Sequence, residues 1–342
     1  MLSISHSLRS AAESSSLTLR PSKEVMKVGN WVDFLPRDIS LEILQKVGTI
    51  DKLMNIQKVS ISWYRICQDP KLWRSIDIQN IKDLPYTSNN IVKMAMNAID
   101  RSRGQLIDLK IEDFGSEYLL MHLINRGNQL RSLRLVKCLN LFNEGLIEAV
   151  KKLPYLEELH IYYGKITYVG LELIGRNCPG LKSLTYNKQG MFPPVYFDYD
   201  EDDGHNFSNE AFAIARSMPE LRHLSLFGNQ MYNDGLEAIL DSCPHLESLD
   251  IRQCFRVELE ECYELSEKCF SIKGFRPPND CTDDYEFDSS TLDGQIIHIG
   301  NEGYFYIGGE DDYHTENYGE YRINDFLGEN VSRGRGGSGG GD

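Results

Sequence analysis

Six times between residues 106 and 251 the chain writes Leu-x-x-Leu-x-Leu or a close variant of it. The sets are Leu106/Leu109/Ile111, Leu130/Leu133/Leu135, Leu156/Leu159/Ile161, Leu181/Leu184/Tyr186, Leu221/Leu224/Leu226 and Leu246/Leu249/Ile251. Successive first leucines stand 24, 26, 25, 40 and 25 residues apart, the 40 being one period plus an insertion at 188–205. Behind the sets come apolar residues three and four apart, as in Leu146/Ile147/Val150, Leu171/Ile174, Phe212/Ala215 and Leu236/Ile239/Leu240, which is the spacing of a helix face. Pro154, Pro179, Pro219 and Pro244 close four of the units just before the next leucine. Proline cannot continue a helix, so each one marks where a helix stops and a strand can start. One such unit cannot bury its own apolar face, whereas about six stacked units share a continuous core.

Periods of 20–29 residues with this pattern are the signature of leucine-rich repeats, one strand and one helix per unit. Cys138 and Cys254, just past the strand, resemble the cysteine-containing subclass. Alternation along each strand sends the leucines inward and leaves an outward row in every unit. These rows are Asp108/Lys110/Glu112, Ser132/Arg134/Val136, Glu158/His160/Tyr162, Ser183/Thr185/Asn187, His223/Ser225/Phe227 and Ser248/Asp250/Arg252. Aromatics, both charge signs and hydroxyls mix there as on a protein-recognition surface. Arg134, His160, Tyr162, Asn187, His223, Phe227, Asp250 and Arg252 are the candidate substrate-binding residues.

Residues 31–76 do not fit the repeat. Ile39, Ile43, Leu44 and Val47 share one predicted helix face, with Gly48 as its C-cap. A second helical pattern runs through Leu53, Ile56, Val59 and Trp63, with Thr49 or Asp51 as cap. The segment holds all three tryptophans of the chain, Trp31, Trp63 and Trp73. So short a stretch is marginal as an independent core, and its surplus of hydrophobes is expected to be completed by another domain or chain.

The string Trp31-x-x-x-Leu35-Pro36-x-x-Ile39-x-x-x-Ile43-Leu44 … Val59-x-x-x-Trp63-Tyr64-x-x-Cys67-x-Asp69-Pro70-x-Leu72-Trp73 resembles an F-box. With leucine-rich repeats behind it, the chain is similar to plant F-box/leucine-rich-repeat proteins of the group resembling Skp-interacting partners. Asn177-Cys178-Pro179, Ser242-Cys243-Pro244 and the stretch Pro277–Asp288 fit that group. The resemblance implies an α/β architecture: a three-helix F-box followed by a short, right-handed, open-arc solenoid of about six strand–helix repeats. It implies a role as the substrate-recognition subunit of an SCF-type cullin–RING ubiquitin ligase. The F-box would bind the Skp-family adaptor, and through it the cullin and RING subunits, while the repeats would hold a protein substrate. Residues implied at the adaptor contact are Leu35, Pro36, Ile39, Ile43, Leu44, Val47, Leu53, Val59, Trp63, Leu72 and Trp73, some of which must instead form the internal core. The alternative is an interaction scaffold that uses the same two surfaces without promoting degradation.

Charge and composition narrow the rest. The 342 residues carry a net charge of −15, and residues 280–329 alone hold eight Asp and six Glu against one Arg, so the body is nearly neutral. Counterion release on nucleic acid needs clustered Lys and Arg, which this balance does not offer. No apolar run approaches the ~20 residues of a membrane span. The eight cysteines have no zinc-knuckle spacing, and no nucleophile–base, phosphate-loop or dinucleotide motif is found, so no catalytic residue, metal or cofactor is expected. The expected organisation is a disordered leader (1–30), the F-box (31–76), a connecting segment with a capping helix (77–104), the repeats (105–270) and a disordered acidic tail (271–342). No signal sequence is seen, and the cytoplasm, the nucleus or both are the expected location.

Overall fold

The computed structural model describes residues 35–79, 88–126, 129–188 and 207–286, together with the backbone of 295–298 and 304–307. The leader, Trp31, nearly all of the insertion and most of the tail beyond Glu286 lie outside the described residues.

Three short helices come first among the described residues: α1 (Arg37–Gln45), α2 (Thr49–Met54) and α3 (Ile61–Ile66). The second predicted helix does not run unbroken from Leu53 to Trp63. A 3-10 turn at Ile56–Lys58 intervenes, and Ser60 lies in extended backbone with its hydroxyl accepting from the Trp63 amide at 3.2 Å. That is an N-cap, so Ser60 starts a new helix where apolar periodicity alone continues the old one. Gly48, expected to end the first helix, instead caps the N-terminus of α2. A further 3-10 turn, Pro70–Trp73, is capped by the Asp69 carboxylate, which accepts from the Lys71 amide at 3.0 Å.

Strand and helix then alternate: β1 (Ser75–Ile78), α4 (Ser88–Ser102), β2 (Asp108–Glu112), α5 (Glu117–Arg126), β3 (Ser132–Val136), α6 (Asn143–Val150), β4 (Glu158–Tyr162), α7 (Tyr168–Asn177), β5 (Ser183–Asn187), α8 (Asn209–Ser217), β6 (His223–Ser225), α9 (Asn233–Ser242), β7 (Ser248–Asp250), α10 (Tyr263–Phe270) and β8 (Gly274–Arg276). The eight strands form one parallel sheet in sequence order, and the helices stack as a second layer. A separate antiparallel pair joins β9 (Gln295–His298) to β10 (Tyr304–Ile307).

The six leucine-pattern strands are β2 to β7. In register, Leu109, Leu133, Leu159, Leu184, Leu224 and Leu249 lie side by side and buried. Tyr186 takes a leucine place in this core, where its hydroxyl donates to the Ile166 carbonyl. Two strands escaped the leucine count, one at each end. β1 lacks the first leucines of the pattern and pairs with β2 through Ile76 and Ile78, both buried. β8 carries Phe275 opposite Leu249. The ordered unit therefore runs past residue 271, where the acidic tail was expected to begin. The expected helix near residues 90–103 forms as α4, and it is the helix of the unit begun by β1.

Candidate functional site: two surfaces of one chain

The first surface belongs to the helices before β1. Pro36, Ile39, Ile43 and Val59 are exposed, while Leu35 and Val47 are half-buried. Ile39 and Ile43 stand one turn apart on α1, so they share a face. Ile61 and Tyr64, absent from the expected contact list, are 72% and 50% exposed on α3, which packs against α1. Their signal was in the sequence as a second i, i+3 apolar pair, hidden by reading Leu53–Trp63 as one helix.

The other expected contact residues are spent internally. Leu44, Leu53, Trp63, Leu72 and Trp73 are all buried. Trp73 is the joint between the two modules: its indole N–H donates to the Cys67 carbonyl at 3.0 Å, and Lys52 and Arg101 lie 5.6 and 5.2 Å from its ring centroid. Arg101, from α4, also donates to Gln57 at 3.0 Å. The Asp77 amide of β1 donates to the Thr49 hydroxyl at 3.2 Å. The small helical unit thus completes its core on β1 and α4 of its own chain, and what stays apolar and exposed is the α1/α3 face.

The second surface is the outward face of the sheet, and it is not open. After β8 the chain turns at Pro277–Asp280 and returns across the strands it has just built. The Gln253 amide donates to the Pro278 carbonyl at 2.8 Å, which starts the return. Arg252 donates to Asp284 at 2.6 Å and to the Cys281 carbonyl at 2.9 Å, and Arg276 adds a bond to Asp284 at 2.8 Å. The Tyr285 ring stacks on Phe227 with centroids 3.8 Å apart and 26° between planes, and its hydroxyl accepts from Asn187 at 2.6 Å. Glu286 then reaches Arg134 at 2.6 Å and Lys110 at 3.2 Å. This strap therefore touches residues of, or just past, β7, β6, β5, β3 and β2.

The strap accounts for part of a pattern that alternation alone does not give. Outward residues are exposed or half-exposed on most strands, but Val136, Tyr162, Thr185, Asn187, Phe227 and Arg252 are buried, and Asn187, Phe227 and Arg252 among them hold the strap. Four of the eight candidate substrate-binding residues, Arg134, Asn187, Phe227 and Arg252, hold the strap directly. Asp250 pairs with Arg252 at 2.8 Å and so orients it. Tyr162 lies beneath Arg134, whose guanidinium is 5.7 Å from the ring. His160 bonds the Thr185 hydroxyl at 2.9 Å, and burial, with the Arg134 charge beside it, holds its imidazole below the usual value. His223 is exposed and bonds Ser248 at 2.9 Å, apart from the strap. Sequence reasoning missed Lys110 and the strap itself. The signal available was charge complementarity between Asp-Asp-Tyr-Glu at 283–286 and the Lys and Arg of the outward rows.

Electrostatics match the geometry. Arg276 first, then Arg252, hold the Asp284 carboxyl far below the ordinary carboxylate range. Burial pushes the Tyr285 phenol well up, so it stays a neutral hydroxyl. Among the described residues no group of three or more His, Cys, Asp or Glu comes together as a metal site requires. Burial pushes the Cys138 thiol up to about 12 and those of Cys178, Cys243 and Cys269 to about 11. These are packing thiols rather than nucleophiles. Cys138 and Cys254 sit just past their strands, with sulfurs 3.7 and 3.1 Å from the carbonyls of Ile111 and Leu226 in the preceding repeat.

Residues 32–79 match the F-box-like family model, and residues 218–240 match a Leucine Rich repeat model. Putative F-box/LRR-repeat protein 23 of Arabidopsis thaliana is 43% identical over 80% of this chain and 59% of its own length. F-box protein SKIP19 of the same plant is 42% identical over 78% of this chain and 83% of its own. The chain belongs to the F-box/leucine-rich-repeat family. Putative F-box/LRR-repeat protein 22 extends the likeness, at 39% identity over 88% of this chain and 93% of its own. For an F-box/leucine-rich-repeat protein, the exposed α1/α3 face falls inside the F-box match, and the strapped sheet is the repeat domain.

Proposed function

We propose that this protein is the non-catalytic substrate-recognition subunit of an SCF-type cullin–RING ubiquitin ligase, working in the cytoplasm, the nucleus or both. The α1/α3 face takes the Skp-family adaptor, which brings the cullin and RING subunits, and the repeat sheet takes the protein to be ubiquitinated. One observation carries the reading. Inside the F-box match, Ile39, Ile43, Ile61 and Tyr64 stay exposed although the same two helices bury Leu44 and Trp63. Exposed apolar residues on packed helices are the usual anchors of a helical interface. The joint around Trp73 suits the role, because ubiquitin transfer depends on holding the substrate in a fixed position.

The test is co-elution of the full chain with a plant Skp-family protein, followed by a cullin. Ile39→Asp with Ile43→Asp should weaken adaptor binding at least thirty-fold, in keeping with about 2 kcal/mol or more for an interface anchor. The far-ultraviolet circular dichroism should not change, since both side chains are exposed. A wild-type chain that ignores every Skp-family protein ends the reading. Adaptor binding without any cullin favours the scaffold alternative.

A further inference from the structure

The strap raises the question of what the strand face binds. We propose that Asp280–Glu286 is a tethered pseudosubstrate, and that the partner of this face presents a segment with an aromatic ring flanked by carboxylates. This inference rests on the recognition role proposed above and names the chemistry of what is recognised.

The cleft is built for such a segment in three adjoining parts. Phe227 gives a flat ring on which Tyr285 stacks, and Asn187 fixes the depth of that ring by donating to its hydroxyl. On one side Arg252, oriented by Asp250, and Arg276 receive the carboxylate that precedes the ring. On the other side Arg134 and Lys110 receive the carboxylate that follows it. The guanidinium of Arg252 is also 5.3 Å from both ring centroids, so ring and charge recognition share one residue. Except for Arg276, these groups come from five separate strands or the residues just past them, which no local sequence requirement brings together.

The strap is held as a replaceable ligand is held, not as a core element. The Asp284 and Glu286 side chains are 58% and 49% exposed. The openness lies on the strap side of each pair, since the Arg252, Lys110 and Arg134 side chains are 5%, 17% and 30% exposed, so the carboxylates can leave to water while the cationic groups stay fixed in the cleft. Tyr285 is the single stacked ring, and Cys281 and Asp283 on the same segment are exposed. Tethering rather than intrinsic affinity keeps the strap in place, because a short connection gives an effective concentration on the order of millimolar. A free partner with the same chemistry must outcompete that concentration, which makes the strap a threshold against weak or partial matches.

The probe is a fluorescein-labelled peptide with the sequence of residues 279–288 carrying Cys281→Ser, measured by anisotropy against the full chain with and without a plant Skp-family protein. Asp284→Ala, Tyr285→Ala and Glu286→Ala together should vacate the cleft and tighten peptide binding at least tenfold over wild type. Arg134→Glu with Lys110→Glu in that background should reverse the gain, and a peptide carrying Tyr285→Ala should not bind. Equal binding by wild type and the triple variant, or none by the triple variant, overturns the proposal. Should the triple variant not fold, hydrogen exchange on the wild-type chain decides. The amides of 280–286 should exchange faster in millimolar peptide, and unchanged protection there overturns the proposal. Adaptor co-elution is read on the same samples. Peptide binding without adaptor binding sinks the ligase reading and leaves the cleft standing, and the converse sinks only the cleft.

Discussion

Trp73 shows how one side chain can carry two expectations and satisfy only one. An F-box contact list places it at the adaptor, yet it is fully buried and held by Cys67, Lys52 and Arg101. Ile61, which no list included, is 72% exposed. The two therefore respond oppositely to truncation. Trp73→Ala should lower unfolding stability by about 3–5 kcal/mol, the range for removing a large aromatic from a core. Ile61→Ala should change it by less than ~0.5 kcal/mol while weakening adaptor binding. Urea denaturation of both variants, paired with adaptor titration, separates core from contact. A stable Trp73 variant would mean the joint is not built around this ring.

At the scale of elements, the repeats are locked by short polar residues at helix starts. Asn143 at the start of α6 donates to the Thr167 hydroxyl at 2.9 Å and accepts from the Thr167 amide at 3.0 Å, one repeat on. Asn233 does the same at α9, donating to the Glu258 carbonyl at 3.0 Å and accepting from its amide at 2.9 Å. The close approach this demands leaves no room at Gly170, where an added Cβ would press into Asn143 and Ile166. In an exposed helix, Gly→Ala gains about 1 kcal/mol. Here Gly170→Ala should instead destabilise, by about 1–3 kcal/mol, as overpacking does. A raised urea midpoint for this variant would mean that the helices separate at no cost, and that the asparagine bonds do not set their spacing.

At the scale of the whole molecule, the F-box and the repeats form one folding unit. The small helices bury Leu72 and Trp73 against α4 and β1, and Lys52 reaches the Leu72 carbonyl at 3.3 Å. Residues 31–76 expressed alone lose both supports and fall below the size at which a helical core sustains itself. This fragment should show little helical circular dichroism and no cooperative melting, whereas the same residues in the full chain melt with the repeats. A well-folded fragment would mean that the helical module does not need β1 and α4 to complete its core.

Period and alternation were legible from the start, because leucine spacing is a local record of what each strand must bury. Those two rules placed β2 to β7, the helices between them and the inward ladder. They did not reach β1 or β8, which meet the core with isoleucine and phenylalanine and complete no leucine set. The F-box string was legible as a string, but which of its hydrophobes face outward depended on where Ser60 broke the helix and on which of them α4 covered.

Sequence alone, then, determined a stacked strand–helix array with a hydrophobic helical module ahead of it, since both follow from contacts between residues near in the chain. Tertiary structure decided that the sheet face is occupied. Glu286 meets Lys110 from 176 residues away and Tyr285 meets Asn187 from 98, and no periodicity encodes a pairing across such separations. Only the stacking of the repeats brings Lys110, Arg134, Asn187, Phe227 and Arg252 within reach of one short acidic segment.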